Sequence, residues 1–481
     1  MKANKEQYTL FTAKALALLI IPICIESALS MSLGMIDGLM ASYAKSGAGD
    51  DILTAITDVD QISNLLIHLF SAFGVGGAVI TSQLIGANKV EEANKSAKQL
   101  IVIMILFSLV ITALCMGLNH QLINLLFGDA GENTRQNAYT YFYIIAASFP
   151  FLAVFNACAA LLRAQRKSMN TMISGIISFC LNVGFNAVFI YGLNMGIAGV
   201  ALGTFLARIF PAFFTMFLMT RKSNLVRIKI IEKFRFDGAQ LKNILKLGIP
   251  SGIENSFFQL GKILVIVFIS IASYNVVVDG VVTNFQTSAN SVAYNINTVS
   301  SIVGNGINTA ILTVTGQAVG TGSINQVKYY MKKMLLISYV GNTACVAVTF
   351  ALSPLLLNFY NISGEAREIA WNCLLLCLPL QFITYPLSFG LPAMLKANSD
   401  MRYVMFAAVA SMLLMRVGLC YILTCDWVGA RLGALGLWIG MVSDWGLRGL
   451  LFGARLLSGR WKKSSGLLRE EPAAEEEKLC G

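Results

Sequence analysis

Two carboxylates, Glu26 and Asp37, stand inside an apolar run at 21–41 that is long enough to cross a membrane. An ionised acid at the centre of a membrane helix costs about 2.5–3.5 kcal/mol on insertion scales. It is tolerated where it faces a bundle interior or a wet cavity, and there it usually binds something. Eleven residues at about 100° each bring a helix back to nearly the same direction, so the two acids share a face, about 16 Å apart along the axis. That face is read as the wall of a path through the membrane. Glu26 has a second reading, a structural hydrogen bond across a helix break at Pro22. Asp37 has one too, an interfacial acid near the end of its helix.

The elements that must position these acids are membrane helices. Of 481 residues, 56% are hydrophobic and 13% charged, a balance found in polytopic membrane proteins and not in soluble domains. Windows of about 20 apolar residues predict twelve spanning helices, near 13–43, 52–80, 98–118, 138–162, 168–192, 195–220, 243–273, 281–315, 329–357, 369–395, 402–424 and 431–457. The eighth carries Gln286, Asn290, Asn295 and Asn297 and is expected to line a hydrated cavity. The expected fold is all-α, in two six-helix bundles.

Charge placement sets the expected orientation. The N-terminus, the even-numbered loops and the tail hold 27 of the 36 basic residues. The odd-numbered loops hold Lys45, Arg135, Arg367 and Arg431, and five more fall within spans: Lys14, Arg208, Lys262, Arg416 and Arg448. By the positive-inside rule both termini are cytoplasmic. The net charge of +11 is then a topology signal, with contact to anionic lipid second and nucleic acid excluded as a partner. A basic stretch at 221–242 reads as a cytoplasmic linker, dividing an N-lobe (1–220) from a C-lobe (243–457), with a disordered acidic tail at 458–481.

The halves repeat. Ile21-Pro22-x-x-Ile25-Glu26 returns as Ile249-Pro250-x-x-Ile253-Glu254, 228 residues on. Gln83-x-x-Gly86 returns as Gln317-x-x-Gly320, and Arg163-Ala164-Gln165 as Lys396-Ala397-Asn398. Gly196-x-x-Gly199-x-x-x-Gly203 returns as Gly433-x-x-Gly436-x-x-x-Gly440. Six helices per repeat give both halves the same orientation, with a pseudo-two-fold axis along the membrane normal.

Four stretches together carry a family resemblance: Pro22-x3-Glu26 with Asp37, Ser82-Gln83-Leu84-Ile85-Gly86-Ala87-Asn88, Leu162-Arg163-Ala164-Gln165, and 438–445, WIGMVSDW. Across about 10–460 the chain resembles the multidrug and toxic compound extrusion (MATE) family. The resemblance implies a twelve-helix, two-lobe antiporter that exports organic, often cationic, compounds against sodium or protons. It also implies an N-lobe cation site at Asp37 with Asn156, Asn182, Asn186 and Thr204. Asn186 stands where members of the family have an Asp, which leaves one carboxylate with neutral oxygens, suited to a weak sodium site or equally to a proton site. Glu254 resembles a coupling acid of some members, but their acid on helix ten has no counterpart within 369–395. At an offset of 234, Asn182 maps onto Arg416, so the coupling ion is placed in the N-lobe and Glu254 is expected to pair with Arg416 or Lys262. The aromatic residues Phe258, Tyr294, Phe382 and Tyr385 are candidates to hold a cationic compound.

Other classes are set aside. There is no HExxH, no Gly-x-Ser-x-Gly and no acid pair with His, so no enzyme is indicated. The ten cysteines and two histidines form no metal spacing; no structural metal or cofactor is expected, only the coupling Na+ or H+. A flippase for lipid-linked precursors, from the related superfamily, is the rival reading. The expected setting is the plasma membrane, and the expected partners are a small-molecule substrate and the bilayer, the chain being a monomer.

Overall fold

The computed structural model describes residues 10–42, 49–127, 131–228, 236–272, 276–278, 281–283, 285–360, 362–424 and 432–468. The structure is helical but for a two-stranded antiparallel hairpin, β1 (Val276–Val278) and β2 (Val281–Thr283). Helices α1 to α8 are Ala13–Ser42, Gly49–Gly86, Val90–Gly117, Asn119–Phe127, Glu132–Ala147, Phe149–Ala164, Ser168–Asn186 and Gly196–Thr220. Helix α9 is Gly238–Ala272. Helices α10 to α17 are Phe285–Ser300, Ile302–Gly320, Ile324–Phe359, Gly364–Tyr385, Leu391–Ala397, Met401–Ser411, Cys420–Thr424 and Gly433–Leu457. Wider π-helical turns at Ala187–Gly192, Pro386–Gly390 and Met412–Leu419 interrupt the later helices.

Among the described residues, nine helices are long and apolar enough to cross a membrane, or ten when α5 and α6, bent by 45°, count as one span. The eighth and twelfth expected spans are more polar, and the eighth opens on β2 and is helical only from Phe285. From there the eighth is two helices, α10 and α11. At their junction the hydroxyls of Ser300 and Ser301 both donate to the Asn297 carbonyl (2.6 and 3.2 Å), as serines do where a helix is interrupted. The twelfth, α17, carries Asp444, Arg448 and Arg455. Pro22 and Pro250 break nothing: α1 and α9 run through them.

Three amides of α10 bond to neighbouring helices. Asn290 accepts from the Trp438 indole (3.1 Å), and Gln286 from the Ala434 amide (2.9 Å). Buried Asn297 accepts from Cys377, while Gln381 on α13 joins Ser300 and Ser301. These bonds tie α10 to α13 and α17, while Gln286, Asn290 and Asn295 remain half-buried.

The chain divides into two compact units, Ala13–Asn255 and the pairing of Met1–Thr12 with Ser256–Gly481. In the first, α1 packs on α7, α7 on α8, and α2 on α6, around a core that includes Phe70, Phe142, Phe149 and Leu161. In the second, α13 packs against α10 and α17 around Cys373, Cys377, Leu374 and Trp438. Both cysteines serve there as small apolar side chains.

The repeat is visible in the backbone. Left-handed residues recur at matching places: Asn88 and Gly322, Arg166 and Ser399, Gly196 and Gly433. The offsets of 234, 233 and 237 match those of the sequence motifs, so the motifs mark helix ends where the chain must reverse. Close helix approach explains another pair of small residues: a Cβ built on Gly76 of α2 falls 2.9 Å from the Gly248 nitrogen of α9. Backbone cannot yield there as a side chain could. Gly76→Val is therefore expected to cost about 1–3 kcal/mol of stability, measured as a lower unfolding midpoint in detergent; an unchanged midpoint would remove this contact from the account.

Candidate functional site

In the first unit α1, α7 and α8 bring four polar side chains into a closed ring. Asn186 donates to Asp37 Oδ1 (2.6 Å) and reaches Asn182 Oδ1 (3.4 Å). Asn182 donates to Thr204 (3.2 Å), whose hydroxyl lies 3.5 Å from Asp37 Oδ2. All four are buried; Asp37 is 5% exposed. Helical spacing places both amides on one face of α7, and a π-helical stretch begins directly after Asn186. Gly203 of α8 makes the room: a Cβ there would overlap Asn186 Oδ1. Among the described residues that oxygen has no hydrogen-bond donor, which leaves one buried acceptor open beside the carboxylate.

Four of the five expected N-lobe residues thus meet. Asn156 stands apart and donates to the Leu152 carbonyl of its own helix (3.0 Å). Two charged residues to which the sequence reading gave no role, Asp60 and Arg208, interact with Asp37 instead. Asp60 of α2 accepts from the Tyr141 hydroxyl of α5 (3.4 Å), and Arg208 of α8 donates to Ser148 (2.7 Å). The charge of Arg208 is felt at both Asp37 and Asp60, and the two acids also interact, so the three form one electrostatic group. The available signal was that Arg208, a basic residue inside a span, requires an acid near it.

Glu26 belongs to a different, balanced set. Arg163 donates to its Oε1 (2.8 Å) and Thr171 to its Oε2 (2.7 Å), tying α1 to α6 and α7. Both carboxylate oxygens are engaged, by neighbouring helices and not across a break at Pro22, so Glu26 acts as a structural tie of a different kind from the one expected. Glu254 is half-buried on α9, beside Asn255, whose amide donates to the His68 carbonyl (3.4 Å).

The residues expected as partners of Glu254 have other engagements in the second unit. Arg416 lies 3.4 Å from Asp444, an acid also held by Arg448 (2.9 Å) and Ser411 (2.7 Å). Lys262 lies over the rings of Phe258 and Tyr294, at 5.1 and 5.8 Å. Arg416 and Arg448 also lie over Phe258, at 4.8 and 5.1 Å. Phe258 and Tyr294, candidates to hold a cationic compound, are thus already met by cations of the protein itself. Asp444-x3-Arg448 within an apolar helix was the missed signal: the two lie on one face and were bound to pair.

The MatE family model matches this chain twice, at residues 22–188 and at 250–422. The chain belongs to the MatE family. The starts of the two matches differ by 228 residues and their ends by 234, the offsets of the internal repeat. An uncharacterized transporter of Bacillus subtilis, YisQ, is 26% identical over 447 residues, covering 92% of this chain and 93% of its own. The probable multidrug resistance protein NorM of Thermotoga maritima is 24% identical, covering 95% of each. A solved structure of a multidrug resistance MATE family transporter, in an outward-facing conformation, superposes with a TM-score of 0.82 at 21% identity over 94% of this chain and 96% of that one. The MatE protein described here is a multi-pass membrane transporter and not an enzyme.

The Glu26–Arg163 tie yields a stability test. Arg163→Leu leaves a buried carboxylate without its counter-charge and is expected to cost about 3 kcal/mol, whereas the double variant Glu26→Leu/Arg163→Leu recovers most of the loss. Unfolding midpoints of purified protein in detergent read both; a double variant no better than the single would contradict the pairing.

Proposed function

We propose that this MatE transporter exports organic, cationic or amphipathic compounds, coupled to the entry of a sodium ion or a proton at Asp37. The observation that carries the proposal is charge balance in the first unit. Asp37, Asp60 and Arg208 form a group with two acids and one base, which with both acids ionised is one positive charge short of neutral. A single monovalent cation makes up the difference. The open acceptor Asn186 Oδ1, the Asp37 carboxylate, Asn182 Oδ1 and the Thr204 hydroxyl offer a set of hard oxygens suited to sodium. The same group serves a proton, which would make Asp37 a donor within a ring that now treats it as an acceptor.

The drug-like substrate class is supported by the names of relatives, among them a probable multidrug resistance protein of Thermotoga maritima and a multidrug export protein of Staphylococcus aureus. Cytoplasmic termini are supported by the distribution of Lys and Arg, and a plasma-membrane location by the bacterial relatives.

Coupling requires that the cation bind one conformation better than the other; equal affinity would shift nothing. Ring geometry supplies a reason for a difference. Asp37 is on α1 while Asn182, Asn186 and Thr204 are on α7 and α8, so any movement of α1 against α7 opens the ring. Carrying one charge through 100 mV supplies about 2.3 kcal/mol, enough for roughly 50-fold accumulation.

In proteoliposomes, Asp37→Asn is expected to reduce gradient-driven efflux of a cationic dye to the leak rate. Separately imposed sodium and pH gradients identify the coupling ion, and efflux undiminished in Asp37→Asn refutes the mechanism. Gly203→Ala, which displaces Asn186 without touching the acid, is expected to lose most of the coupling. Full coupling in that variant would remove Asn186 from the site.

A further inference from the structure

The second unit holds the reverse imbalance. Around the single ring of Phe258 stand three cations, Lys262, Arg416 and Arg448, at 4.8–5.1 Å from its centroid. One acid, Asp444, meets the two arginines. Arg416 and Arg448 are each 5% exposed, and Lys262 is half-buried. Three positive charges against one negative leave an excess of two inside a membrane-embedded bundle. A structural ion pair would need only one of the arginines. The Phe258 ring offers the cations its negative face, which compensates them weakly at best.

A second, independent observation points the same way. One buried N–H donor, Trp445 Nε1, has no acceptor among the described residues, while Arg416 Nε faces Asp444 Oδ2 at 3.4 Å without forming a hydrogen bond. Buried donors left open are rare and call for an explanation, commonly a bound group. Trp445 reaches the cluster through Phe389, which lies edge-on to both Trp445 (5.9 Å) and Phe258 (6.5 Å). Cations, an open donor and an aromatic wall therefore adjoin one another.

We propose that this cluster is a binding site for the anionic group, a carboxylate, sulfonate or phosphate, of an amphipathic compound carried by the transporter. Arg416 presents a planar fork to the oxygens. Lys262 contributes a mobile positive charge, and Phe389 and Trp445 receive the apolar body. The substrate range then includes organic anions and zwitterions, handled by a site separate in sequence and charge from the Asp37 ring. The inference rests on the transport reading for its biological use, but the binding it asserts needs no gradient.

The test is equilibrium binding of fluorescein, an aromatic dianion, to the full-length protein in detergent, read by anisotropy. Saturable binding is expected, weakened at least about tenfold in Lys262→Gln and in Arg416→Gln, the loss of one charge-assisted contact, and restored within a few-fold in Lys262→Arg. Asp37→Asn is expected to bind fluorescein as the unaltered protein does, so failure of coupling and failure of the anion site are told apart. Lys262 makes no ion pair among the described residues, so its variants test the site where Arg416→Gln fails to fold. Competition by benzoate identifies a soluble organic anion as the ligand class, and competition by dihexanoyl phosphatidic acid alone identifies a lipid phosphate. Fluorescein that does not bind saturably, or binds the unaltered protein and Lys262→Gln equally, overturns the proposal.

Discussion

Charge placed inside a membrane bundle must be compensated within the protein, since hydrocarbon offers nothing in return. Three groups in this transporter answer that demand differently. Glu26 and Arg163 cancel each other, with Thr171 completing the carboxylate's hydrogen bonds. Asp37, Asp60 and Arg208 fall one positive charge short when both acids are ionised. Lys262, Arg416, Arg448 and Asp444 carry two positive charges too many. A balanced group can be permanent, and its role is to hold helices together. An unbalanced one is costly until something of opposite sign arrives, and that cost is what makes it a site.

The rest of the structure keeps these groups dry and in register. Interhelix hydrogen bonds from Asn290, Gln286 and Gln381 fix α10 against α13 and α17. The α7–α8 pair that carries the ring is packed closely because Gly203 gives Asn186 its space. Left-handed residues at matching positions reverse the chain at helix ends in both halves, so the same framework is built twice. Individually each such device is worth little in a membrane, where interhelix hydrogen bonds contribute about 0.6 kcal/mol on average. Their number and repetition make the framework.

Much of this was legible in the sequence. Apolar windows located the helices because length and hydropathy alone govern insertion, and the two halves declared themselves through short motifs that prove to be chain reversals. Asp37, Asn182, Asn186 and Thr204 were assembled from a family resemblance, and the structure places them in one ring. Asp60 went unnoticed because its helix is polar along much of its length and the acid does not stand out against that background. Asp444 was quoted as part of a motif but given no partner, since Arg416 lies on a different helix and sequence separation says nothing of that contact. The bonds of α10 to Trp438 and Ala434 were not foreseen because composition tells how polar a helix is, not which neighbour answers it.

The cavity opened by a missing side chain occurs in both halves but is filled differently. Gly203 makes way for the amide of Asn186; Gly440 makes way for the thiol of Cys420, 234 residues after Asn186. Four residues before each stands the side chain that sets local polarity, Asn182 in one half and Arg416 in the other. The glycine therefore works as a socket that accepts more than one plug. A duplicated ancestor with such a socket could let its halves diverge in what they attract while the helices around them stayed where they were.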